Sequence, residues 1–232
     1  VYKNEGGAVN SNSYTNVLQN VLPFSIASLT GTNNLDGTDV NWELTNTGSN
    51  NWDLEVAGGG SDQSGQVIHV DNESLTNITI ENRGVVLSRE NTAIEFDGTT
   101  ITGTATITNA LGATIRSDST SIDEAAIVIK DTTGTVNINN NGTITGPNGL
   151  LVDNANVTLT NVGTVTAINQ AGINVNNSSS AVTIINDGVI NGPNGLRVND
   201  GSVTFTNRGT VTGSLYDVNN TGTLIINNLQ GA

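Results

Sequence analysis

Glu81, Glu95 and Asp97 are the nearest approach in this chain to the grouped carboxylates that acid–base chemistry requires. In glycoside cleavage two carboxyl groups flank one bond, one giving a proton and the other activating water or attacking directly. His69 is the single histidine, and it stands beside Asp71 and Glu73. A lone imidazole near two acids can ligate a metal, but no further ligand follows at a recognisable spacing, so it reads as a surface residue. There is no cysteine, which excludes disulfides, cysteine-zinc sites and thiol catalysis. The Asp97-Gly98 and Asp200-Gly201 corners do not reproduce the calcium-binding Gly-Gly-x-Gly-x-Asp nonapeptide. No cofactor is therefore expected, and calcium stays unsupported.

The elements that must carry these residues are announced by a repeat. The pattern apolar-x-apolar-x-Asn-x-Gly-x-apolar runs from Ile78 to Val86, and returns at 136–144, 157–165, 182–190 and 203–211. With a looser copy at Asn109, the repeated asparagines are Asn82, Asn109, Asn140, Asn161, Asn186, Asn207 and Asn228. A motif recurring every 20–30 residues or so marks a solenoid, whose units bury their apolar faces only by stacking. Strict alternation of apolar residues within each copy is strand periodicity. Residues 195–215 hold three short strands and three turns, one coil of a three-sided parallel β-helix. The fold expected is all-β, a right-handed parallel β-helix of seven to eight coils with an N-terminal cap. The seven asparagines are expected to be corner posts, their amides bonding one coil to the next in a ladder. The glycine two residues on is expected to supply a positive φ.

Stacking aligns equivalent positions, so candidate active sites can be read as columns. The outward middle position of the first strand reads Glu95, Val128, Leu151, Asn174, Arg197. Outward second-strand positions read Thr79 and Glu81, Thr106 and Thr108, Asn137 and Asn139, Thr158 and Thr160, Thr183 and Ile185, Thr204 and Thr206. No column gathers two carboxylates with a base on adjacent coils, so no catalytic residue is assigned. Threonine pairs at 143/145, 164/166 and 210/212 raise an ice-binding reading, but Val85/Leu87, Thr114/Arg116 and Val189/Asn191 interrupt the array. Aromatic residues make up 3% of the chain, which leaves little stacking platform for sugars.

Residues 1–60 are expected to form a cap and irregular first coils, and 61–232 the β-helix repeats. A short helix is expected over 13–22, and Trp42-x-Leu44-x-Asn46-x-Gly48 resembles a repeat. At the other end Leu224-x-Ile226-x-Asn228 is a repeat without a polar cover, and Tyr216-Asp217-Val218 reads as displaced by one residue. Self-association through this coil is one expected partnership. The formal charge of -14 excludes a basic stripe for nucleic acid and disfavours an anionic membrane surface. No stretch is apolar enough to insert in a bilayer. The start at Val1 without methionine reads as a processed or excised chain.

The coils Ile138-x-Asn140-x-Gly142-Thr143-Ile144-Thr145-Gly146 and Phe205-x-Asn207-x-Gly209-Thr210-Val211-Thr212-Gly213 resemble repeats in the passenger domains of bacterial autotransporters and related filamentous-haemagglutinin-like surface proteins. The resemblance spans about residues 66–228. It implies export across the outer membrane, display or shedding at the cell surface, and roles in adhesion, self-association or coating, with host or surface glycans and proteins as partners. The Gly-Asp-Ser-Gly-Gly motif of protease passengers is absent. The function expected is a non-catalytic extracellular structural or adhesive element; the alternatives are a carbohydrate-active lyase or glycosidase and an ice-binding protein.

Overall fold

A computed structural model describes residues 14–15, 24–25, 33–37, 40–48, 51–56, 59–62, 67–71, 74–176, 181–217 and 222–229, with side chains at 67–70, 75–176, 181–215 and 222–229. Among the described residues the structure is all-β, and its parallel strands stack as a β-solenoid of about 6 turns. The pairings fall in three columns, which we number as faces in the order the chain visits them. The first face runs from Ile68–Asp71 through Ile94–Asp97, Ala125–Lys130, Asn148–Asp153 and Ala171–Asn176 to the second half of Val189–Val198. The second holds Asn77–Asn82, Ala105–Asn109, Thr135–Asn140, Asn156–Asn161, Ala181–Asn186, Ser202–Asn207 and Leu224–Asn228. The third holds Val85–Ser88, Thr114–Ser117, Thr143–Gly146 and Thr164–Ala167, and joins the first where Val189–Val198 runs through the corner as one strand.

Alternation explains the core. On the second face Ile80, Ile107, Ile138, Leu159, Ile184 and Phe205 stack in register and are all buried, and Val157, Val182 and Val203 form a parallel column beside them. Val86, Ile115, Ile144, Val165 and Ile190 supply the third face, and Ile94, Ile127, Leu150, Ile173 and Leu196 the first. The outward threonines of the second face are half-buried, as expected for residues flanked by neighbours in a sheet.

Four local readings change. Tyr14–Thr15 is a strand paired in parallel with Leu35 and Asp36, not the start of a helix; the rest of 13–22 lies outside the described residues. Both residues favour strand, and a partner strand decides where a short local pattern does not. The repeat-like segment in Val40–Gly48 pairs antiparallel with Asn33–Gly37 and with Asn51–Val56, and only Asn51–Val56 joins the parallel stack, against Asn77–Asn82. Near the C-terminus Leu215 pairs with Leu196 and Asp217 with Val198, so Leu215 takes the inward register but is exposed; Val218 lies outside the described residues. In the last strand Ile225 and Ile226 are exposed.

The fourth concerns the corner glycines. Gly142, Gly163, Gly188 and Gly209 are not among the positive-φ glycines, which among the described residues are Gly98, Gly112, Gly134, Gly201 and Gly213. They are needed for close approach. A Cβ on Gly163 would collide with the carbonyl oxygen of Gly142, one on Gly188 with that of Gly163, and one on Gly209 with that of Gly188. Gly163→Ala is therefore expected to force neighbouring turns apart and cost about 1–3 kcal/mol. An unchanged melting temperature would show that the corner has slack.

Candidate functional site

The seven corner asparagines occupy one edge of the second face. Each of the first six amides donates from Nδ2 to the Oδ1 of the next turn: Asn82 to Asn109 at 2.8 Å, Asn109 to Asn140 at 2.8 Å, Asn140 to Asn161 at 2.7 Å. The chain of bonds runs on from Asn161 to Asn186 and Asn186 to Asn207, each at 2.7 Å, and from Asn207 to Asn228 at 2.9 Å. The second amide hydrogen goes to a third-face carbonyl one turn on: Asn82 to Thr114, Asn109 to Thr143, Asn140 to Thr164, Asn161 to Val189. All but Asn228 are buried. From Asn82 to Asn207 the amide donors and acceptors are consumed along the stack, so this buried run has nothing left to offer a ligand.

The outer surface of the first face is different. Three of its strands are buried on both sides: Glu95, Val128 and Asn174, expected to face solvent, are each less than a tenth exposed, while Leu151 between them is half-buried. The cause is the long connection from Ser117 to Glu124. Ser117, Ser119 and Ser121 each accept, through the hydroxyl oxygen, the backbone N–H two residues on, which winds the segment tightly. Asn148 anchors it, donating to the carbonyls of Ile122 at 2.8 Å and Glu124 at 2.9 Å; Thr92 Oγ1 donates to the Glu124 carboxylate at 2.5 Å. The segment flanks the sheet instead of bulging away into solvent.

Between it and the face lies a cleft of about 590 Å³, within the ~300–1,000 Å³ usual for small-ligand sites. Val128 and Leu151 give it an apolar floor that continues to Asn174 and Arg197. Lys130, Asp153 and Asn176 stand one column over, in register on successive turns, and Asn199 on the next turn donates from Nδ2 to Asn176 Oδ1.

One end is a charge cluster. Lys130 Nζ lies 3.0 Å from both Glu95 Oε1 and Asp97 Oδ2, and His69 Nε2 lies 3.7 Å from Glu95 Oε2. Partial burial acts against the Lys130 ammonium, but its bonds to Glu95 and Asp97 and their charges outweigh that and hold its pKa above the ordinary lysine value. Burial, and then the charge of Asp131, push the Asp153 carboxyl upward, with Lys130 opposing. His69, Glu95 and Asp97 bring ligand atoms within 4.8 Å of one another and are the residues that could hold a metal. A divalent ion there would have to displace a cation already bonded to both carboxylates, so the donor set fits a metal poorly.

Of the acids grouped in the sequence, Glu95 and Asp97 share Lys130, whereas Glu81 sits on the second face bonded to Arg83 at 2.8 Å. His69 registers with Glu95, and the side chains of Asp71 and Glu73 lie outside the described residues. The third-face columns read Val85, Thr114, Thr143, Thr164, Val189, Thr210 and Leu87, Arg116, Thr145, Thr166, Asn191, Thr212, so the threonine array is broken at five positions. The cleft itself went unseen in the sequence. Its trace was the run Ala125-Ala126-Ile127-Val128-Ile129, too continuously apolar for a strand with one wet side. No protein-family model matches the chain, and no curated protein and no solved structure matches it.

Proposed function

We propose that this chain is a non-catalytic extracellular β-helix, a structural or adhesive element of a cell surface. In this reading residues 61–232 form a right-handed rod of seven to eight coils and residues 1–60 cover its first end. The observation that carries it is the unbroken amide ladder from Asn82 to Asn228, which spends buried polar groups on rigid repetition along the whole stack. Repetition of this kind makes an extended surface, suited to presenting and spacing contacts. The placement of Lys130 between Glu95 and Asp97 favours the same reading. The Lys130 ammonium fills the gap between the two carboxylates, where the scissile bond of a glycoside would have to lie.

The test is a comparison of the chain with its Glu81→Gln, Glu95→Gln, Asp97→Asn triple variant. Neither is expected to release reducing ends from polysaccharides, and cells displaying the chain are expected to adhere to glycan- or protein-coated surfaces better than cells without it. Cleavage by the unmodified chain that disappears in the triple variant would establish a carbohydrate-active enzyme instead.

A further inference from the structure

We infer that the outer surface of the second face binds ice, through an uncharged, regularly spaced array of threonine hydroxyls and methyls that a water lattice can match. This rests on the rod being a non-catalytic surface element and gives that element the solid it attaches to. Two outward columns carry it. One reads Thr106, Asn137, Thr158, Thr183, Thr204 on successive turns, the other Thr108, Asn139, Thr160, Ile185, Thr206, with no shift of register. The column beside them, Thr135, Asn156, Ala181, Ser202, is equally free of charge. On a chain with 21 acidic and 7 basic residues this is a sustained exclusion of charge from one face. The threonine hydroxyls of the two central columns bond to nothing within the described protein, so their hydrogen bonds go to water. Asn137 lies back along the sheet, its Nδ2 donating to the Ala105 carbonyl at 3.3 Å.

Spacing and chemistry select the ligand. Tetrahedral water with oxygens about 2.8 Å apart places second neighbours roughly 4.5 Å apart, close to the ~4.8 Å between stacked strands. A hydroxyl both donates and accepts, so each threonine can stand in for a lattice water while its methyl is covered. A charged side chain would keep an oriented hydration shell that a lattice cannot take up. Threonine is stiff at its first torsion, so little side-chain freedom is lost on contact. The amide ladder from Asn109 to Asn207 holds the rungs in line, and side-chain ladders of this kind keep a sheet flat. Other occupants fit less well. The face offers no aromatic ring to a sugar. Its five turns and three columns span roughly 19 by 13 Å, far below the ~800 Å² per partner of a stable protein interface. The third face carries Arg116, paired with Asp118, and Ser117–Glu124 overlies the first.

The test cools the intact chain around a seed crystal, reads the gap between freezing and melting, and measures uptake of the chain into a growing ice hemisphere. A gap that widens with protein concentration and enrichment in the ice are expected. Thr158→Asp and Thr183→Lys set a charge at the centre of the face, and each is expected to shrink the gap about fivefold or more. Thr164→Asp on the third face is expected to leave it unchanged, and circular dichroism melts matching the parent's show that the variants fold. No gap and no enrichment for the unmodified chain, or a full gap in both second-face variants, would overturn the inference. Adsorption to microcrystalline cellulose in place of ice would do the same. Adhesion without ice activity sinks this inference and leaves the scaffold reading standing, whereas polysaccharide cleavage beside ice activity sinks the non-catalytic reading alone.

Discussion

Ile184→Asp is expected to abolish the cooperative melting of the stack, whereas Thr158→Asp on the neighbouring strand shifts it by no more than about 0.5 kcal/mol. Ile184 is fully buried between Leu159 below and Phe205 above. Losing its side chain forfeits about 1.5–3 kcal/mol of apolar burial. The aspartate adds a carboxylate with no partner in an apolar column, a further cost of several kcal/mol even if it takes up a proton. Together these approach the whole stability of an ordinary domain, about 5–15 kcal/mol. A solenoid is more vulnerable still, since each turn is held chiefly by its two neighbours and a defect in the middle separates the ends. Thr158 points outward between Asn137 and Thr183 and is half-buried, so a charge there reaches water. Circular dichroism melts of the two variants decide it. Equal shifts would show that the faces are inverted.

The second face was legible because its information is local. Apolar alternation over Val157, Leu159 and Asn161 names the inward side, and recurrence of the same five positions sets the register of every neighbouring strand. The corner glycines were legible as glycines but not for the right reason. Whether a corner needs positive φ or simply lacks room for a Cβ depends on the turn below, and Gly163 meets the Gly142 carbonyl only after stacking. The same limit hid the cleft. Reading Asn174 and Glu95 as solvated follows from alternation alone, and it fails because Ser117–Glu124, far away along the chain from Asn174, folds against that face through Asn148. Tyr14–Thr15 was misread for a related reason: a helical pattern of ten residues is a weak preference, and the strand it forms depends on Leu35 and Asp36 being presented to it.

Asn161→Leu is expected to destabilise the rod by about 3–5 kcal/mol, more than its polarity alone suggests, because the amide is satisfied at both ends. Its Oδ1 accepts from Asn140, and its Nδ2 donates to Asn186 Oδ1 at 2.7 Å and to the Val189 carbonyl at 3.1 Å. An isosteric apolar side chain leaves one orphan donor on Asn140, one orphan acceptor on Asn186 and a third at Val189, each costing about 1–3 kcal/mol when buried. Asn228 accepts only from Asn207 and is exposed, so Asn228→Leu is expected to cost less than about 1 kcal/mol. Asn161→Asp separates hydrogen-bond direction from shape. An ionised carboxylate still accepts from Asn140 but sets a charged oxygen against Asn186 Oδ1; a protonated one donates there and restores the run of bonds. The folded variant therefore binds a proton more tightly than its unfolded chain. With fewer protons bound in the unfolded state, stability must fall as pH rises through the acid range and recover as pH is lowered. Thermal melts of the three variants at acid and neutral pH provide the check. Equal losses for Asn161→Leu and Asn228→Leu, or an Asn161→Asp protein no more stable in acid than at neutrality relative to the parent, would mean the amides do not act as a directional chain.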